Sequence, residues 1–133
     1  MGYKTTKPQT PHSVYLLRWP HMVKAGYSER RRWRSLMTRN EGCEVVGVWH
    51  FPTIYAASNA EGMAHQLLAR SGSAVPSDAI KGGGYKECVA VDRPDPMIEA
   101  ATRLLDILGG TRCISPDTCG RDWSPCSRAL SKH

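Results

Sequence analysis

The run Cys43-Glu44-Val45-Val46-Gly47-Val48-Trp49-His50-Phe51 constrains this chain more than any other segment. β-branched and aromatic residues crowd both of its alternating faces, the pattern of a strand covered on both sides. With a kink allowed at Gly47, Val46, Val48 and His50 share one face and Val45, Trp49 and Phe51 the other. Pro52 ends the run. A chain holding such a strand must supply apolar partners above and below it.

Those partners follow at helical spacing. Ser58-Asn59-Ala60-Glu61 has the form of a capping box, and Ala60, Met63, Ala64, Leu67 and Leu68 then repeat as one helix face that Gly72 closes. Asp95 and Pro96 suit the cap and first turn of a further helix, whose buried face is Ile98, Ala101, Leu104, Leu105 and Leu108 before Gly109-Gly110. Ser28 suits the N-cap of an earlier helix running to about Asn40, with Trp33, Leu36 and Met37 as its narrow apolar stripe. Ser13 to Trp19 and Glu87 to Val91 read as strands, and Arg112 to Ser115 as a short edge strand. The predicted class is α+β, a small two-layer domain of three or four short strands with three helices. Residues 1–12 are predicted to form a flexible basic arm, 13–115 the domain, and 116–133 a cysteine-containing tail.

With 133 residues, one domain is expected. The formal net charge is +6 and the isoelectric point about 9.3, a balance that draws anionic partners to the surface. No apolar stretch reaches the ~18 residues of a membrane span, and the start of the chain lacks the apolar region of a signal peptide. The cytoplasm is the expected compartment. Five cysteines without an export signal suggest thiols or metal ligands before a disulfide framework.

The charge is concentrated. Between Lys24 and Asn40 stand six basic residues, Lys24, Arg30, Arg31, Arg32, Arg34 and Arg39, against one acid, Glu29. Solvated helix faces mix both signs, so this imbalance points to a binding face for nucleic acid or for the acidic surface of a host protein complex. Guanidinium forks match phosphate or carboxylate oxygens, and Trp33 serves either to stack on a base or to anchor the helix in the core.

A second candidate is Lys81-Gly82-Gly83-Gly84-Tyr85-Lys86. Unhindered backbone N–H groups between two ammonium groups suit an anion-binding loop, although the spacing matches neither the P-loop nor the dinucleotide fingerprint. This stretch, with the apolar sequence that follows to Leu108, resembles a segment of small uncharacterised proteins of bacteriophages and prophages. It departs from them where Cys88 to Val91 reads extended and where Pro94 and Pro96 delay the helix. The resemblance covers residues 80–110 and implies a mobile-element accessory protein, a class that includes inhibitors of host defence. It assigns no catalytic residue.

Cys113, Cys119, Cys126 and His133 form a third candidate, a soft ligand set for zinc, without the short Cys-x-x-Cys knuckle of zinc modules. A zinc-stabilised interaction module is the alternative function they suggest. A small enzyme acting on an anionic metabolite near Lys81, Lys86 and His50 is another; His50, His65, Asp92 and Asp95 are its candidate acids and bases, none in a recognised motif. The favoured reading is a non-enzymatic binding protein that uses the arginine-rich helix face.

Overall fold

The structure, a computed structural model, describes residues 12–28 and 32–113. The class is α+β, as expected, but the sheet has six strands instead of three or four. In chain order the elements are β1 (His12–Trp19), β2 (Met22–Ser28), α1 (Arg32–Arg39), β3 (Glu44–Phe51), α2 (Ile54–Ala69), β4 (Ser73–Ala74), the 3-10 turn Tyr85–Glu87, β5 (Cys88–Ala90), α3 (Pro94–Ile107) and β6 (Thr111–Arg112). The sheet order is β4-β5-β2-β1-β3-β6, every pairing antiparallel. No helix among the described residues is long and apolar enough to cross a membrane.

β2 is the strand the sequence hides. It pairs with β1 from Trp19↔Met22 to Ser13↔Ser28, and Ser28 therefore ends a strand instead of capping a helix. One face of β2 carries Val23, Ala25 and Tyr27; the other carries Met22, Lys24, Gly26 and Ser28, which read as loop residues. Gly26 stands opposite Tyr15, and that phenol ring occupies the space a side chain would need, 2.3 Å from where a Cβ would sit. A glycine in mid-strand here permits close packing of a neighbour.

The sheet is covered on both faces. On one, Val14, Leu16, Val23, Ala25, Trp49, Phe51 and Val89 pack under Ala57, Ala60, Ala64 and Leu68 of α2 and Ala101 and Leu105 of α3. Alanines let α2 approach closely. On the other, Tyr15, Leu17, Trp19, Val48 and Cys88 lie under Trp33 and Leu36 of α1 and under Ile80 from the 75–87 loop. A bulge in β3 sets the allegiance of its side chains: Leu16 pairs with Gly47 and Leu17 with Val45, so Val46 is the extra residue. Val46, Trp49 and Phe51 consequently face α2 and α3, and Val45 and Val48 face α1, which exchanges Val45 and Val46 relative to expectation.

The starts of the other two helices move as well. Thr53, extended at φ −137°, caps α2 by accepting from the Ala56 N–H at 3.1 Å, so the Ser58-Glu61 pair lies inside the helix and Met63 is exposed. α3 starts at Pro94 after Arg93, two residues before the expected Pro96; Asp95 sits in its first turn and pairs with Arg18. β6 begins one residue before Arg112, and Ser115 lies outside the described residues.

Candidate anion-binding face

Helix α1 is eight residues long and is held by two side chains. Trp33 and Leu36, one turn apart, are each about 1 % exposed, and Met37 is half-buried beside them. The alternatives for Trp33 thus resolve to the anchor: its ring lies 5.9 Å from Tyr15 in the core and cannot stack on a base. Arg34 and Arg39 are exposed, Arg32 opens the helix, and Arg30 and Arg31 lie outside the described residues.

At the end of α1, Asn40 joins two segments 41 residues apart. Its Oδ1 accepts from the Lys81 N–H at 2.8 Å, and its Nδ2 donates to the Lys81 carbonyl and to the Leu36 carbonyl, both at 2.9 Å. The Asn40 side chain, nine-tenths buried, therefore holds the glycine turn against α1 as a strand partner would. The turn is an ordered piece of backbone: Gly82, Gly83 and Gly84 have φ of +96°, +81° and +84°, a left-handed run open to glycine. Gly82 lies beside Arg39, whose Cδ would be 3.5 Å from a Cβ placed there. The arginine-rich helix and the anion-binding loop thereby adjoin at the end of α1, with Arg39 and Lys81 exposed beside the Asn40 link, and Arg34 and Lys86 exposed elsewhere on the helix and the turn.

Among the described residues, Arg39, Lys81 and Lys86 make no ion pair with a carboxylate. Glu41 and Asp78 are exposed as well.

Lys24 is a correction. It does not stand on the binding face but is 1 % exposed on the α1 side of β2, donating to Glu87 Oε1 at 2.9 Å and lying 5.3 Å from the centre of the Tyr15 ring. Burial acts to lower its pKa, but Tyr15 and Glu87 outweigh that and leave it raised, so the ammonium is fully charged at neutral pH. A Cβ on Gly84 would meet Lys24 Nζ at 3.2 Å. The glycine turn thus runs between two cations, one buried and neutralised, one exposed.

Cys43 and Cys88 are poor nucleophiles. Burial pushes Cys43 and Cys88 up to about 11 each, leaving them as thiols at neutral pH. Cys113 is buried, and its N–H donates to the Val48 carbonyl at 2.8 Å; Cys119, Cys126 and His133 lie outside the described residues.

One polar arrangement escaped sequence reasoning. Ser28, Ser13, His50 and Thr111 are successive cross-strand partners on β2, β1, β3 and β6, forming a row on the α1 side of the sheet. Ser13 Oγ and His50 Nδ1 are 2.9 Å apart. Ser13 is 3 % exposed and burial lowers the His50 pKa, so the pair suits a structural bond between β1 and β3 better than attack on a substrate. Register alone reveals it, and neither strand's own pattern announces that Ser13 of β1 stands opposite His50 of β3.

No protein-family model, curated protein or solved structure matches this chain.

Proposed function

We propose that the protein binds the phosphate backbone of nucleic acid through the surface built from α1 and the glycine turn. The observation carrying this reading is the Asn40 link, which gathers Arg39 and Lys81 from distant parts of the chain with no carboxylate among the described residues paired to either. Phosphate contacts supply affinity without sequence preference, and burial of Trp33 removes the stacking aromatic that base recognition on this helix would use. In the mobile-element setting suggested by the resemblance of residues 80–110, such occupancy denies nucleic acid to a host processing or defence complex.

Titration of a fluorescein-labelled mixed-sequence DNA duplex at several salt concentrations tests the proposal. Each phosphate neutralised contributes about −0.9 to the slope of log K against log salt, so a steep negative slope is expected. Replacing Arg30, Arg31, Arg32 and Arg34 together by Ala should flatten it while the circular-dichroism spectrum is kept. Failure to bind the duplex at low salt would leave an acidic protein surface as the better partner.

A further inference from the structure

We infer that Asn40 is a positioning residue that makes the α1 arginines and the glycine-turn lysines one site, so that the ligand is a chain of phosphates long enough to reach both. This rests on the nucleic-acid reading above. The turn carries Lys81 and Lys86 on a backbone of three left-handed glycines, a conformation with little side-chain packing of its own. Two Asn40 hydrogen bonds hold the Lys81 backbone at the start of the turn, and a third, to the Leu36 carbonyl, fixes the Asn40 side chain on the last turn of α1. At the far end of the turn, Glu87 is tied to buried Lys24. The segment is therefore pinned at both ends, and the Asn40 pin is the one beside Arg39. A single phosphate can engage either cation group alone; only an extended polyphosphate gains from their fixed relation, because ordering both groups before binding removes an entropic cost.

The experiment compares duplex DNA binding by wild type, Asn40→Ala, Lys81→Ala/Lys86→Ala and the triple variant across a salt series, with inorganic triphosphate as competitor. If both lysines contact phosphates, the double lysine variant should lose about 1.8 from the slope. Asn40→Ala should lose a similar amount although it removes no charge, and the triple variant should lose no more. Triphosphate at equal phosphate concentration should displace the duplex poorly from wild type.

Asn40→Asp supplies a second test. It keeps the acceptor for the Lys81 N–H but sets a carboxylate oxygen against both carbonyls and a negative charge beside the turn, so a slope no steeper than that of Asn40→Ala is expected. A purely structural role would lower the melting temperature without changing the slope. A wild-type slope in Asn40→Ala, with duplex binding intact, overturns this inference and leaves the proposed function standing. A wild-type slope in the lysine variant does the same, and absence of duplex binding by wild type removes both. Full displacement by triphosphate would also overturn the claim about ligand length.

Discussion

Each face of the sheet holds one tryptophan that is almost fully buried, Trp49 on one side and Trp33 on the other, and the two faces treat that residue differently. Trp19, on the Trp33 side, is less deeply buried. Trp49, under α2 and α3, donates from Nε1 to Asp106 Oδ1 at 2.7 Å and carries the Arg112 guanidinium 5.2 Å above its ring. Trp33, on the α1 side, is as deeply buried, yet its Nε1 has no hydrogen-bond partner among the described residues. The contrast extends to the surroundings. The α2/α3 face is a continuous apolar layer of valine, leucine and alanine, whereas the α1 face also encloses Lys24 and is tied together by the polar side chains of Asn40 and Glu87. Apolar layers hold through area and tolerate repacking; polar links hold through direction and specify one geometry. The α2/α3 side is built to keep the sheet folded, and the α1 side to keep a surface in register.

The sharpest way to break this comparison is the Lys24–Glu87 pair. Glu87→Ala strands a buried ammonium and should cost about 3 kcal/mol in urea unfolding, the low end for breaking a buried pair because Glu87 is half-exposed. Lys24→Met replaces the buried charge with an apolar chain of similar length and leaves Glu87 to water. Its stability should fall within about 1 kcal/mol of wild type. A loss in Lys24→Met as large as that in Glu87→Ala would mean that the ion pair itself stabilises the fold beyond what apolar packing supplies.

Next in size is the tryptophan pair itself. Trp49→Phe loses a hydrogen bond to a carboxylate and should cost about 2 kcal/mol. Trp33→Phe removes a buried N–H that bonds to no group among the described residues, so the lost area is partly offset and the change should stay under about 1 kcal/mol. Denaturation midpoints in the two variants decide it. A larger loss at Trp33 would show that its indole N–H has a partner in solution.

The faces also differ in how far the sequence announced them. β3 was legible because nine residues of β-branched and aromatic character leave little choice, and the α1 stripe was legible because Trp33 and Leu36 recur one turn apart. β2 was not, since Lys24 and Gly26 look like loop residues until Glu87 and the Tyr15 ring are known to neutralise one and fill the space beside the other. The start of α2 was hidden by a competing capping pattern at Ser58, while Thr53, the residue that caps it, carries no glutamate three positions on. Both basic segments of the candidate site stood out by composition. Their union did not, because Asn40 meets Lys81 through contacts that span 41 residues and leave no local periodicity.

The smallest expected effects concern protons, and here the two sides have opposite signs. On the α1 side, burial lowers the His50 pKa below its ordinary 6.5, so the unfolded chain binds that proton more readily. The stability this group contributes is complete above about 6.5 and is lost as pH falls through the lowered folded value. On α2, burial raises the Glu61 pKa above its ordinary 4.5; Glu87 adds to the rise, and His65 and Lys24 oppose it. The folded chain then holds that proton more tightly, and stability declines as pH rises from 4.5 through the raised value. Glu61→Gln should therefore raise the melting temperature slightly at pH 7, with the gain vanishing below pH 4.5. His50→Gln should reduce the loss of stability on acidification just below pH 6.5. Melting curves from pH 4 to 8 for both variants read the two signs separately. A Glu61→Gln gain that persists below pH 4.5 would show that the substitution acts through packing and not through the charge.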